Sequence, residues 1–108
     1  MKVSELITGG SFTPISLPDD SRDIEGVYIG DLLSWVMGRA KANDAWITIM
    51  SNINIVAVAS LADVSCIILA EGVSLSEDII KTAESKGINI LASEHNAYDI
   101  AVALHNMI

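Results

Sequence analysis

Hydrophobic residues in the last two-thirds of the chain gather in three short runs, and each run leads into a polar turn and then a stretch with helical spacing. The runs are Ala45–Met50, Val64–Ala70 and Ile88–Ala92. A strand that is apolar on both faces is typical of a parallel strand covered by helices on both sides. The pattern therefore predicts an α/β fold, a single-domain three-layer sandwich over residues 1–108 with a mainly parallel sheet covered by helices.

The first third of the chain predicts shorter elements. A helix is expected over residues 2–8, and strands are expected over Phe12–Ser16 and Glu25–Ile29. Pro14 favours a sheet edge for the first of these strands, because proline has no backbone N–H to donate. Asp31 opens a helix in which apolar residues recur at helical spacing.

Residues 53–62, with the sequence INIVAVASLA, are apolar almost throughout. Periodicity alone does not separate a buried strand from a buried helix here. A helix is preferred, because another strand would leave too short a connection for a parallel neighbour. A helix that is apolar all round is buried on more than one side, which leaves two alternatives: a central helix or a subunit interface.

Polar residues follow each of the three buried strands. Ser74 and Glu77 have the spacing of a capping box for the next helix, and Asn96 can cap the last one. The carboxyl ends of parallel strands lie at the same end of a sheet, where ligands bind in such folds. These loops predict a polar crevice for a nucleotide or small metabolite, whereas the alternative is that their side chains only cap helices. The candidate ligand-binding residues are Ser51, Asn52, Glu71, Gly72, Ser74, His95, Asn96 and Tyr98.

Composition narrows the choice of partners and location. The chain has 108 residues, of which 51% are hydrophobic, and its 6 basic and 14 acidic residues give a net charge of −8. This acidity excludes nucleic acid and anionic membrane surfaces as expected partners, because both carry negative charge. The single cysteine, Cys66, cannot form an internal disulfide, and the amino terminus lacks a signal-peptide pattern. A cytoplasmic protein is therefore predicted.

The sequence contains no recognisable catalytic motif. Glycine-rich phosphate and dinucleotide fingerprints are absent, and the two histidines and one cysteine do not form a metal-ligand pattern. Ser93-Glu94-His95 contains the residue types of a hydrolytic triad, but triad members converge from separate loops. We therefore predict no catalytic residues, no metal site and no cofactor.

Several segments resemble the DRTGG domain family. They are Gly26–Leu33 (GVYIGDLL), Ala45–Thr48 (AWIT), Ile67–Gly72 (IILAEG) and Gly87–Leu91 (GINIL), in an order and spacing similar to those of the family. The resemblance implies an α/β regulatory domain similar to domains found beside phosphotransacetylases, in CBS-domain pyrophosphatases and in the amino-terminal region of HPr kinases. Stand-alone domains of this kind occur near iron hydrogenase and redox genes, and some members lie beside adenine-nucleotide sites.

The sequence departs from the family pattern in three turns. A Gly-Asp-Arg turn is replaced by Ser51-Asn52-Ile53, a Thr-Gly-Gly-like turn by Ala70-Glu71-Gly72, and an Asp-Thr-Phe/Tyr-like motif by Asn96-Ala97-Tyr98. The first change removes an arginine that pairs with anions, and the second adds a negative charge. All three changes weaken a phosphate site and leave an interaction role intact.

The resemblance and the apolar helix together predict a non-catalytic regulatory or protein-interaction module. It is expected to serve metabolic or redox enzymes and to form a homodimer. The alternative is a sensor that binds an adenine nucleotide or small metabolite at the carboxyl end of the sheet. The candidate interface residues are Trp35, Trp46, Ile53, Ile55, Val56 and Val58.

Overall fold

A computed structural model describes residues 1–108 as a five-stranded sheet with helices on both faces. The strands are β1 (Thr13–Ser16), β2 (Gly26–Ile29), β3 (Asp44–Thr48), β4 (Cys66–Leu69) and β5 (Ile90–Ala92). The helices are α1 (Val3–Thr8), α2 (Leu33–Arg39), α3 (Asn54–Ala62), α4 (Glu77–Ser85) and α5 (Ala97–Met107). No helix combines the length and the apolar character needed to cross a bilayer.

The strand order is β1-β5-β4-β3-β2, so β1 and β2 form the two edges of the sheet. Strands β2 to β5 run parallel to their neighbours, and β1 pairs antiparallel with β5. The pairing of β1 shifts register between Pro14 and Ser16. The predicted edge position of Pro14 and the predicted parallel arrangement of the three apolar runs are both confirmed.

The core has two halves, one on each face of the sheet. Alternate residues of β3 and β4 point to opposite faces, because side chains alternate along a strand. One half joins α1 and α5 to residues such as Ile47 and Ile68. The other half joins α2, α3 and α4 to residues such as Trp46 and Ile67. The sheet therefore lies between a layer of two helices and a layer of three, which confirms the predicted sandwich.

Four of the six candidate interface residues lie inside this core. Trp46, Ile55, Val56 and Val58 are all buried within the chain itself. The indole N–H of Trp46 donates to the carbonyl of Gly30 at 2.9 Å, so its polar atom also has a partner within the chain. Helix α3 is apolar because it packs on the sheet and against α2 and α4, so these four residues present no surface to a partner.

The predicted capping box at Ser74 and Glu77 is wrong. Helix α4 begins at Glu77, and Ser76 occupies the N-cap position without a side-chain hydrogen bond. Ser74 lies two residues further upstream, outside the helix, and its side chain makes no hydrogen bond to the first turn. By contrast, Asn96 caps α5 as predicted, because its Oδ1 accepts from the backbone N–H of Asp99 at 2.8 Å.

The buried thiol of Cys66 allows a test of how well the core excludes water. Burial raises the pKa of its thiol from 9.0 to about 12. As pH rises between these values, the unfolded chain loses the thiol proton while the folded chain keeps it, so stability falls. We expect urea denaturation to show the wild type losing about 1 kcal/mol relative to Cys66→Ala between about pH 9 and pH 10. A parallel pH dependence of the two proteins in that window would contradict this burial.

Candidate functional site

The carboxyl ends of the four parallel strands lie at the same end of the sheet, which we call the carboxyl end. The loops after β3, β4 and β5 emerge there, as the sequence predicted, and the loop after β2 joins them. The carboxyl end has a polar part beyond β4 and β5 and a more apolar part beyond β2 and β3. Exposed apolar side chains of the second part are Ile29, Leu32, Ile49 and Ile53.

The polar part is held together by backbone hydrogen bonds between two loops. The N–H of Glu71 donates to the carbonyl of His95 at 2.8 Å, and the N–H of Gly72 donates to the carbonyl of Ser93 at 2.9 Å. Both Glu71 and Gly72 have positive φ angles, of 59° and 72°. This left-handed conformation strains Glu71 but not glycine. The loops therefore place Glu71, Gly72 and His95 beside one another.

Carboxylates dominate this polar part. A Cβ atom on Gly72 would lie only 2.6 Å from Oε2 of Glu94, so the Glu94 carboxylate lies directly against the Gly72 backbone. Glu71 adds a second acidic side chain, in the same turn as Gly72. The arrangement disfavours phosphate and other anions, because no cationic side chain is in position to offset these charges.

The eight candidate ligand-binding residues do not converge on a single crevice. Gly72 and Ser74 line a cavity of about 360 Å³ together with Glu94. His95 lines a different cavity, of about 220 Å³, together with Asp99. Tyr98 lines a third, and Ser51, Asn52, Glu71 and Asn96 line none of these cavities.

Two of the candidate residues have a local structural role. Asn96 caps α5, and Asn52 uses its Oδ1 to accept the backbone N–H of Asn54 at 2.9 Å, at the start of α3. Such side chains satisfy donors at a helix start that would otherwise lack partners. At these two positions the structure favours helix capping over ligand binding.

The triad-like sequence Ser93-Glu94-His95 has no catalytic geometry. The Ser93 hydroxyl accepts the backbone N–H of His95 at 3.1 Å, which is a local turn interaction. A nucleophilic serine needs a hydrogen bond to an imidazole nitrogen that acts as its base. The serine here stabilises the loop that follows β5. No group of three metal-ligating side chains is present either.

Asp31 has a structural role at the carboxyl end of the sheet, and its predicted position at the start of a helix is wrong. It does not open α2, which begins at Leu33. Its Oδ1 accepts from the Thr48 hydroxyl at 2.8 Å and from the backbone N–H of Ile49 at 3.0 Å. Asp31 therefore ties the loop after β2 to the end of β3.

The largest cavity lies beside the edge strand, away from the polar loops. It has a volume of about 750 Å³ and is lined by β2 and by one side of α5. Val27 and Ile29 come from the strand, and Tyr98, Val102 and His105 come from the helix. We call it the β2–α5 groove. Its lining is mostly apolar and includes no Asp or Glu side chain, in a chain of net charge −8.

Comparisons with known proteins place this fold in a family. The family model of the DRTGG domain matches residues 17–107. Because this match covers most of the chain, the protein belongs to the DRTGG domain family, an α/β family of regulatory domains. No curated protein matches the sequence.

A solved structure with the same fold comes from Clostridium perfringens. It contains the CBS and DRTGG domains of the regulatory region of a pyrophosphatase, in complex with the activator diadenosine tetraphosphate. The TM-score is 0.71 at 16% sequence identity. The match covers 90% of this chain but only 43% of that one. The likeness therefore concerns the fold of one part of the pyrophosphatase region.

The hydrogen bonds that Asp31 accepts allow a test of how the carboxyl end of the sheet is stabilised. We expect Asp31→Ala to lower the free energy of unfolding by about 1 kcal/mol, because Thr48 and the Ile49 N–H lose their acceptor. Asp31→Asn should cost less, since its amide oxygen can still accept. Urea denaturation measures both, with Asp20→Ala as an exposed control. Equal stabilities of Asp31→Ala and Asp20→Ala would contradict a structural role for Asp31.

Proposed function

We propose that this chain is a non-catalytic regulatory module that acts through protein contacts, forms a homodimer and associates with a metabolic or redox enzyme. Two findings support the proposal. The chain belongs to a family of regulatory domains, and a structure with the same fold comes from the regulatory region of a pyrophosphatase. The family relationship supports the regulatory role, and an exposed surface on α2 and α3 supports protein contacts as its mode of action.

The observation that carries this proposal is an exposed tryptophan on α2. Trp35 is 53% exposed, and the Arg39 guanidinium lies 3.7 Å from the centre of its ring. Tryptophan and arginine are the residue types most enriched among energetically dominant interface contacts. Stacking also holds the indole in one orientation before a partner arrives, which lowers the entropy lost on binding.

Ile53 extends the proposed contact surface to the start of α3. Its side chain is exposed, unlike the four buried residues that the sequence placed beside it. Helices α2 and α3 pack against each other on the same face of the sheet. Trp35 and Ile53 are the two candidate interface residues that are exposed. We now assign them to contact with the enzyme partner instead of the homodimer, and we call Trp35, Arg39 and Ile53 the α2–α3 surface.

The α2–α3 surface can be tested with matched baits. We expect immobilised wild-type protein to retain a metabolic or redox enzyme from an extract of its source cells, and Trp35→Ala to retain at least about tenfold less. Leu61→Ala is the control, because Leu61 is an exposed apolar residue of α3 that lies outside the proposed contact. Quantitative mass spectrometry measures retention. Equal retention by all three baits would contradict this surface.

The alternative function is a sensor of an adenine nucleotide or small metabolite at the carboxyl end of the sheet. The observation in its favour is that the pyrophosphatase region was solved with an adenine-nucleotide activator. The acidic side chains Glu71 and Glu94 weigh against it, because they repel the phosphates of such a ligand. The first proposal is therefore preferred.

Thermal denaturation separates the two functions. A sensor requires the Tm to rise by several degrees with about 1 mM diadenosine tetraphosphate, because a ligand that binds only the folded state stabilises it. The shift should grow in Glu94→Gln, which removes a repelling charge, and should stay unchanged in Asp20→Asn, which removes one at the opposite end of the sheet. An unchanged Tm in all three proteins would eliminate a sensor of diadenosine tetraphosphate.

A further inference from the structure

Helix α5 carries two apolar stripes, and the core uses only one of them. Ile100 and Leu104 form the first stripe and are buried against the sheet. Tyr98, Val102 and His105 form the second at helical spacing and line the β2–α5 groove. Tyr98 is 74% exposed and Val102 is 42% exposed. The second stripe has no partner within the chain.

The strand that borders this groove is an open edge of the sheet. Strand β2 pairs only with β3, so its outward backbone N–H and C=O groups have no strand to bond. Proteins protect such edges with proline, lysine or a bulge. The opposite edge strand has Pro14 and a register shift, whereas Gly26–Ile29 of β2 has none of these features. Strand β2 is therefore open to pairing with another strand.

We propose that a second copy of this chain covers the β2–α5 groove. The β2 strands of two copies pair antiparallel about a two-fold axis, so that one sheet continues through the dimer. The second stripe of each α5 then packs against that of its partner above the joined strands. This inference rests on the homodimer in the proposed function and names the surface that forms it.

Self-complementarity favours a second copy over other occupants. A two-fold contact uses the same patch on both molecules, so each feature that lacks a partner must find it in a copy of itself. The groove meets this condition, because an open strand edge pairs with an open strand edge and an apolar stripe packs against an apolar stripe. One contact therefore covers both features at once.

Charge and size are also consistent with a second copy. Two chains of net charge −8 repel each other, but the groove lining includes no Asp or Glu side chain, which reduces that repulsion within the groove. Stable interfaces bury about 800 Å² on each partner. Pairing of a four-residue strand is too small for this, and the stripe along the 11-residue α5 supplies the remaining area.

Three lysine substitutions test this surface by sedimentation equilibrium. Ile29→Lys adds a charge at the strand edge, Val102→Lys adds one to the second stripe, and Leu61→Lys is the control on α3. Ile29 and Leu61 are 50% and 72% exposed, and all three substitutions change the net charge equally. We expect the wild type to reach twice its 11.5 kDa mass at concentrations of about 100 µM. The dimer dissociation constant should rise at least about tenfold in Ile29→Lys and Val102→Lys and stay unchanged in Leu61→Lys.

Hydrogen exchange provides a second readout that does not depend on substitutions. Amide exchange of the β2 segment, followed by mass spectrometry, should slow as the wild-type concentration rises and should not slow in Ile29→Lys. A monomeric wild type would overturn both this inference and the homodimer. A wild-type dimer that Ile29→Lys and Val102→Lys leave intact, or whose β2 amides gain no protection, would overturn this inference alone.

Discussion

The parallel alignment of β2 to β5 constrains the rest of the structure, because parallel sheets need cover on both faces. Three helices cover one face, and α5 with the six-residue α1 covers the other. On the less covered face, α5 lies over β3 and reaches β2, but nothing lies beyond it. The groove at β2 is therefore a direct consequence of placing two helices over a five-stranded sheet.

The two ends of the sheet differ in how their loops are held. At the amino ends of the strands, the buried Asn89 side chain accepts from the N–H of Asp19 at 2.9 Å and donates to the carbonyl of Ser65 at 3.0 Å. These bonds fix the acidic turn to the sheet and satisfy a buried amide. At the carboxyl ends, backbone hydrogen bonds join the loops after β4 and β5, and the Asp31 carboxylate joins the loop after β2 to the end of β3. Polar contacts thus hold the loops at both ends of the sheet, through a buried amide at one end and through backbone groups and the Asp31 carboxylate at the other.

Hydrophobic pattern was enough to predict the parallel strands, because residues such as Ile67 and Ile68 are apolar on both faces. The same pattern misassigned Trp46 and Ile55, since apolar character does not distinguish burial in the chain's own core from burial by a partner. Local rules also compete: the spacing of Ser74 and Glu77 fits a capping box, but the helix begins too late to use it. The β2–α5 groove could not be predicted at all, because it depends on which helix lies over which strand.

The proposed contacts are compatible with one another because they use opposite faces of the sheet. Trp35 on α2 belongs to the three-helix layer, whereas the second stripe of α5 belongs to the two-helix layer. In the proposed dimer the sheets join edge to edge, and each copy keeps its own α2–α3 surface on the three-helix face. Two copies then present two Trp35 sites, and a partner that has two matching sites binds such a dimer more tightly than a monomer without any new contact. In this proposal, self-association through one face strengthens binding of the partner through the other.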